Sequence, residues 1–269
     1  MTAVADSATQ PAVRIEGVTK RYGGLEALSA VTLDVNAGEV LAIVGDNGAG
    51  KTTLIKMLAG VERPTEGMLR LRGVPVEFRS TRDAREQGIE AVYQNLALAE
   101  HLPVWANMHL GREIRARGIA GRFGWLNRRE MRKRAAEDLE ELKVSMPDLE
   151  RPARMLSGGQ RQAIAIVRAV SWARELVLMD EPTAALGPEQ QVQVLELIAR
   201  VRERGTPVVL VSHSLPQVLE IADRIAVFRR GQLVRMATPE RTSGDELIAY
   251  ITGMRGGERF GLDDGVDGG

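Results

Sequence analysis

The sequence contains no cysteine among its 269 residues. A chain without thiols forms neither a disulfide framework nor a thiolate metal site, and its composition fits a reducing cytoplasm. No apolar run approaches the roughly 20 residues that a membrane-spanning helix needs. Residues 1–11 lack the basic and apolar regions of a signal peptide. We therefore expect a soluble protein that would reach a membrane only through a partner.

The sequence also lacks net charge, because 36 Lys and Arg residues balance 36 Asp and Glu residues. A protein that binds nucleic-acid backbones needs a basic face. The balance therefore predicts no nucleic-acid partner. One basic run, residues 128–134, has two interpretations: a patch for partner docking, or a solvated helix face balanced by the acids of residues 137–141.

The most informative stretch fits the P-loop pattern G-x-x-x-x-G-K-[ST] and reads Gly45-Asp46-Asn47-Gly48-Ala49-Gly50-Lys51-Thr52. An apolar run typical of a buried parallel strand precedes it, and a predicted helix that starts with Thr53 follows it. Glycines allow backbone N–H groups to converge on phosphate oxygens, and the helix N-terminus adds partial positive charge. We assign Lys51 to the β- and γ-phosphates and Thr52 to Mg²⁺, with Thr53 included in the nucleotide site.

A pair of carboxylates, Asp180 and Glu181, ends a second apolar strand. Side chains at the carboxyl end of a parallel strand lie beside the ligand in α/β folds. Asp180 would hold Mg²⁺ through water, and Glu181 would polarise the attacking water. The alternative, an acidic pair that caps a helix before Pro182, does not explain why a P-loop stands upstream.

A second glycine loop follows in the middle of the chain and reads Leu156-Ser157-Gly158-Gly159-Gln160. Ser157 would cap the following helix, which makes another anion site of the helix-terminus kind. With this signature the chain resembles the ATP-binding cassette (ABC) ATPases over about residues 13–253. The resemblance implies ATP and Mg²⁺ as cofactors. It also implies that Ser157, Gly158, Gly159 and Gln160 bind the γ-phosphate held by the P-loop of a second copy.

The resemblance also assigns roles to residues outside these loops. Tyr22 looks like the aromatic residue that stacks on adenine, although a core or surface tyrosine is the alternative. Gln94 looks like the glutamine that senses Mg²⁺ and water at the hinge between lobes, and His213 looks like the histidine that contacts the γ-phosphate. The implied catalytic set is Lys51, Gln94, Glu181 and His213, and the implied metal ligands are Thr52, Gln94 and Asp180. His101 and His109 match no motif, so we expect them to be structural.

One segment departs from the family pattern. After Pro182-Thr183 the family usually has Ser-Ala-Leu-Asp, with an aspartate that links the two subunits, whereas this chain has Ala184-Ala185-Leu186-Gly187. The missing aspartate predicts looser coupling between subunits. Hydrolysis is still expected, because the catalytic side chains remain.

The predicted fold is an α/β P-loop NTPase core of the ABC type with an antiparallel β lobe and an inserted helical lobe near residues 97–170. Alternation of apolar and polar residues at 13–16, 31–35 and 69–72 indicates the half-exposed antiparallel strands. We expect a single ABC ATPase domain over residues 12–255, with disordered ends at 1–11 and 256–269.

Three function classes fit these motifs: the energising subunit of a membrane importer, the ATPase of an exporter, and a soluble ABC ATPase of translation or DNA repair. Residues 45–48, 93–98, 110–113 and 181–187 resemble the monosaccharide-importer branch, which includes fructose-, ribose- and xylose-type ATPases. We therefore predict an ATPase that energises monosaccharide import. Its expected partners are a second copy, a separate membrane permease and, indirectly, a periplasmic or lipid-anchored sugar-binding protein. Its expected location is the cytoplasmic face of the inner membrane.

Overall fold

A computed structural model of the chain describes residues 10–255. The strands are β1 (Val13–Tyr22), β2 (Leu25–Val35), β3 (Val40–Gly45), β4 (Glu66–Leu71), β5 (Val74–Val76), β6 (Ile89–Val92), β7 (Leu176–Asp180), β8 (Val208–Val211), β9 (Arg224–Arg229) and β10 (Gln232–Ala237). The helices are α1 (Lys51–Leu58), α2 (Thr81–Glu86), α3 (Val104–Met108), α4 (Ile119–Arg122), α5 (Arg128–Glu141), α6 (Gly158–Trp172), α7 (Pro188–Glu203), α8 (Leu215–Ile221) and α9 (Gly244–Thr252). The ends predicted to be disordered lie outside the described residues, except for Gln10 and Pro11.

The alternating segments form a four-stranded antiparallel sheet in the order β2-β1-β4-β5. Val13 and Ile15 are fully buried, whereas Arg14 and Glu16, which alternate with them, are partly exposed. One face of the sheet therefore packs on a core and the other meets solvent, as the period of two predicts.

The second sheet has six strands in the order β10-β9-β3-β8-β7-β6, and its neighbours pair in parallel except for the β9–β10 hairpin. Leu41 and Ile43 of β3 share a core with α1 and the antiparallel sheet. Ala42 and Val44 face the other side, toward α8 and α9. Because β3 is covered on both faces, its sequence is a continuous apolar run.

The helical region is organised around α5 and α6. Asn127 accepts a hydrogen bond from the backbone N–H of Glu130 at 3.1 Å, and this cap starts α5. Met131 is buried in one core with α3, α6 and α7. Ion pairs at i,i+4 spacing, such as Lys133–Glu137 at 3.5 Å, support the solvated-face interpretation of the basic run. In residues 10–255 no helix is long and apolar enough to cross a membrane.

The parallel register brings the motifs to one edge of the sheet. Val211 at the end of β8 lies opposite Asp180 of β7 and Ile43 of β3. The loops that follow these strands therefore leave the sheet side by side. The P-loop, the acidic pair and the segment that carries His213 meet there, at the carboxyl ends of the strands.

Candidate nucleotide-binding site

The P-loop has a backbone that only glycine can adopt at its two ends. Gly45 and Gly50 have φ angles of 155° and 101°. A Cβ atom on Gly45 would lie 2.3 Å from the backbone oxygen of Phe228, and one on Gly50 would lie 2.5 Å from Leu28 Cδ2. The loop is thus packed from behind against β2 and β9, which leaves its other side open to a ligand.

Lys51 is the first residue of α1 and is 6% exposed. Its Nζ atom donates to the backbone oxygens of Gly45 at 2.8 Å and Asp46 at 3.0 Å. Burial lowers the pKa of Lys51, and the carboxylates of Glu181, Asp46 and Asp180 oppose that shift. The helix has no side-chain cap, since Gly50 stands at the N-cap. A buried cation and an uncapped helix N-terminus at one point form a cradle for phosphate.

A cleft of about 360 Å³ opens in front of this cradle. It is lined by Tyr22, Leu25, Glu26, Ala27, Asn47, Gly48, Ala49, Gly50, Lys51, Thr52, Thr53, Val211 and His213. Most of the predicted nucleotide-binding residues therefore share one space. None of the residues Ser157–Gln160 is among these lining residues, so the single described chain keeps its two glycine loops apart.

Tyr22 lies at the mouth of the cleft with 43% of its surface exposed. Its phenol O–H donates to Glu62, and Lys20 Nζ lies 5.1 Å from the ring centroid. Burial, followed by the bond to Glu62, raises the pKa of Tyr22 to about 12. The polar end of the ring is therefore fixed, and its exposed surface is available for stacking.

The acidic pair sits opposite Lys51 at the end of β7. Glu181 has a φ of 54°, which is rare for a non-glycine residue, and its N–H donates to Val211 O at 3.0 Å. Its Oε1 atom is enclosed and lies 3.1 Å from Nε2 of His213, at ion-pair distance but without an aligned hydrogen bond. Burial raises the pKa of both Asp180 and Glu181, and the charges of Lys51 and His213 oppose the shift.

Oxygen donors at this edge suit a hard divalent cation. Asp180 is half-buried and Thr52 is exposed. Among the described residues, no group of three or more His, Cys, Asp or Glu side chains could hold a metal ion by itself. A Mg²⁺ ion here would therefore need phosphate oxygens to complete its coordination, as is usual for nucleotide-bound magnesium.

The second glycine loop forms a capping box at the start of α6. Ser157 Oγ accepts from Gln160 N at 3.2 Å, and Gln160 Oε1 accepts from Ser157 N at 3.0 Å. A Cβ atom on Gly158 would lie 3.3 Å from Leu186 Cδ2, and one on Gly159 would lie 3.1 Å from Gln190. The loop thus packs against the segment 183–187 and the first turn of α7.

Gln94 is exposed and lies two residues beyond β6, in the segment that leads to α3. Two residues that sequence reasoning missed hold this segment. Arg168 donates to the backbone oxygen of Leu96 at 2.8 Å. Asn107 is fully buried, accepts from Ala99 N at 2.8 Å and donates to backbone oxygens at residues 99, 102 and 103. The sequence carried one signal that could have identified Asn107, since it is the lone polar residue in the otherwise apolar stretch that forms α3.

Comparison with protein families and curated proteins agrees with this geometry. A model of the ABC transporter family matches residues 28–184. The chain is 46% identical to the fructose import ATP-binding protein FrcA of Rhizobium meliloti, over 92% of this chain and 96% of that protein. It is 40% identical to the xylose/arabinose import ATP-binding protein XylG of Sulfolobus acidocaldarius, over 89% of this chain and 93% of that protein. With the ribose import protein RbsA 2 of Rubrobacter xylanophilus it shares 40%, but it spans only 47% of that protein.

Solved structures show the same fold. The ADP conformation of MJ1267, an ATP-binding cassette of an ABC transporter, superposes with a TM-score of 0.75 at 26% identity, over 91% of this chain and 96% of that one. The dimeric cassette MJ0796, bound to ADP and Pi, superposes with a TM-score of 0.69 at 27% identity. The match covers 84% of this chain and 98% of that one. The fold and the cleft define a P-loop ATPase. The chain belongs to the ABC transporter family of ATP-binding proteins, and the predicted fold and ATPase activity are confirmed.

Proposed function

We propose that this chain is the ATP-hydrolysing subunit that energises import of a monosaccharide through a separate membrane permease. The observation that carries the proposal is the 46% identity to a fructose import ATP-binding protein over nearly the full length of both chains. Relatives whose names specify xylose or arabinose and ribose support the sugar class. The resemblance of residues 93–98 and 181–187 to the same branch is a further support.

The proposed mechanism distributes charge around the transferred phosphoryl group. Lys51 and the backbone amides of the P-loop hold the β- and γ-phosphates. Glu181 accepts a hydrogen bond from the attacking water, and His213, with Nε2 at 3.1 Å from Glu181 Oε1, lies beside that carboxylate at ion-pair distance. Thr52 and Asp180 would hold Mg²⁺, with Gln94 added when the lobes close. The ion would neutralise charge on the phosphate oxygens.

The complete site requires a second copy. The loop Ser157–Gln160 is outside the P-loop cleft of its own chain. A partner in head-to-tail arrangement would present its capped α6 N-terminus to the γ-phosphate bound at Lys51. The dimeric cassette among the similar structures supports this arrangement. Hydrolysis by a single chain would be slow, because half of the electrostatic stabilisation is missing.

Several large apolar side chains are exposed in the segment between α3 and α5, which we call the apolar surface. Leu110, Phe123, Trp125 and Leu126 are exposed by 43%, 79%, 70% and 41%. Large exposed aromatic side chains mark sites of protein association. This surface, together with residues 94–113, is the proposed contact with the permease. The chain would then lie at the cytoplasmic face of the membrane, and a periplasmic or lipid-anchored sugar-binding protein would act from the other side.

A deletion strain tests the sugar assignment. We expect loss of labelled uptake of one of fructose, ribose or xylose, restored by the wild-type chain and not by Lys51→Ala, because that variant loses the ammonium that binds phosphate. Amino-acid uptake serves as the control. If sugar uptake is intact and amino-acid uptake is lost, the sugar assignment is wrong while the ATPase remains.

A further inference from the structure

A closed set of hydrogen bonds lies behind the segment 183–187, which we call the D segment. Gln191 of α7 donates from Nε2 to Leu186 O at 3.0 Å. Gln217 of α8 donates from Nε2 to Gln191 Oε1 at 2.8 Å, and Thr183 Oγ1 donates to Gln217 Oε1 at 2.7 Å. Both amides use their nitrogen and their oxygen, so each has only one orientation that satisfies its partners. Thr183, at 5% exposure, is shielded from water.

The D segment receives no side-chain support from position 187. Gly187 is the N-cap of α7 and supplies no side-chain bond. Its φ of −70° and the open space around its Cβ position do not demand glycine. The D segment is therefore held from behind by Gln191, through a backbone oxygen, instead of by a side chain at position 187.

The network also connects to Glu181 and to His213, the pair that we propose acts in hydrolysis. Thr183 lies two residues after Glu181, and Gln217 lies on α8, which begins two residues after His213. Glu181 and His213 are themselves in contact at 3.1 Å. The path from Glu181 through Thr183 and Gln217 back to His213 is thus a ring, closed by the Thr183–Gln217 hydrogen bond and the His213–Glu181 contact.

The other side of the D segment faces the loop Ser157–Gln160, which we call the signature loop. Leu186, whose backbone oxygen Gln191 binds, packs at 3.3 Å from the Cβ position of Gly158. Ala184, Ala185 and Gly187 are exposed. In the proposed dimer this exposed edge borders the second copy. A shift there would be passed to Gln191 and on to α8 through the hydrogen bonds that join Leu186 O, Gln191 and Gln217.

We propose that Gln191 and Gln217 are positioning residues that couple the D segment to the His213–Glu181 pair. The inference rests on the catalytic roles proposed above for that pair. It assigns no contact with ATP to either glutamine, so their loss should change turnover and leave nucleotide affinity intact.

The test compares Gln191→Ala and Gln217→Ala with Gln193→Ala, which changes an exposed glutamine on the same helix as Gln191. We expect kcat to fall about tenfold in the first two variants, the cost of roughly one buried hydrogen bond in the transition state. The Kd for ATP should stay within about twofold of wild type, since no ATP contact is removed. The double variant should be no slower than the slower single variant, because coupled residues are not additive.

A second measurement does not depend on turnover. The imidazole NMR signal of His213, assigned with His213→Gln, should shift in Gln191→Ala, although Gln217 stands between the two residues. His101 and His109 serve as internal references in the same spectrum. Thr183→Val should reproduce the shift because it removes the hydroxyl at nearly constant shape, and Thr183→Ser should restore the wild-type position.

These outcomes separate the inference from the proposed function. If the His213 signal stays in place in Gln191→Ala, Gln217→Ala and Thr183→Val, or moves equally in Gln193→Ala, the coupling is wrong. If the signal moves as expected in a chain that shows no ATP hydrolysis, the coupling stands and the proposed catalytic roles do not.

Discussion

At the scale of single residues, the site concentrates ionisable groups that burial disfavours. The pKa values of Asp180 and Glu181 are raised and that of Lys51 is lowered, each by burial first. Every one of these shifts means that folding penalises the charged form. The cluster therefore costs stability at neutral pH in exchange for charges placed beside the phosphates.

Glu181→Gln should separate hydrolysis from binding. The amide keeps the shape of the side chain but removes the carboxylate that we propose orients water, so we expect turnover to fall by roughly a hundredfold or more. ATP should still bind, because Lys51 and the P-loop are unchanged. Steady-state kinetics and equilibrium binding of Mg-ATP measure the two quantities. Glu189→Gln, an exposed acid on α7, is the matched control and should hydrolyse at the wild-type rate.

The same variant should be more stable than wild type at pH 7.5. Burial raises the pKa of Glu181. At pH values just above the ordinary pKa of a glutamate, the folded state therefore binds more protons than the unfolded state. Wild-type stability therefore falls as pH rises through that window, and the neutral amide of Glu181→Gln avoids the loss. Thermal unfolding should show a higher Tm for Glu181→Gln at pH 7.5 and a smaller difference near pH 4.5. An equal difference at both pH values would contradict the titration.

At the scale of elements, the segment after Gln94 shows how irregular backbone is held without a helix or strand. Two side chains from elsewhere, Asn107 and Arg168, bond the N–H of Ala99 and the carbonyl oxygens of residues 96, 97 and 99. Buried backbone polar groups need such partners, since no water replaces them. The structure of the segment between β6 and α3 therefore depends on the packing of α3 and α6.

Asn107→Leu tests this dependence. The leucine is close in size but leaves Ala99 N without its partner and removes one of the two hydrogen bonds to each of the backbone oxygens of residues 99 and 102. We expect a loss of about 2–4 kcal/mol in the free energy of unfolding, measured in urea. Asn95→Ala, in the same segment but exposed, should cost less than about 1 kcal/mol. Equal effects of the two changes would mean that the buried amide does not hold the segment.

At the scale of the whole molecule, the two glycine loops of one chain are separate. The P-loop cleft and the loop Ser157–Gln160 share no lining residue among those described. Two copies in head-to-tail contact would complete two sites at once, which closed twofold symmetry permits.

Mixing two inactive variants tests this arrangement. Lys51→Ala removes the phosphate-binding ammonium, and Ser157→Arg disrupts the capped loop. Each alone should show little hydrolysis. A mixed dimer contains one intact site. In that site the unchanged P-loop of the Ser157→Arg chain meets the unchanged loop Ser157–Gln160 of the Lys51→Ala chain. Random pairing at equal amounts should therefore restore about a quarter of the wild-type ATPase rate. No recovery on mixing would place both loops in the same site of one chain.

Much of the candidate site could be predicted from the sequence because its chemistry is local. Phosphate binding needs glycines, a lysine and a hydroxyl at fixed spacing, and residues 45–52 show that spacing directly. The carboxylates at 180 and 181 follow a strand whose apolar run is visible, and Ser157 caps a helix that starts at the next residue. The strand alternation of residues 13–16 likewise reflects neighbours in the chain.

Only the tertiary structure decided which side chains complete these motifs. His213 reaches Glu181, Arg168 reaches the segment after Gln94, and Gln217 joins Gln191 to Thr183. These partners are separated by 26 to 72 residues along the chain. No periodic pattern spans such distances. A glutamine or arginine that satisfies a remote carbonyl looks, in sequence, like one that faces solvent, because the burial that makes the bond necessary exists only after the sheets and helices have packed.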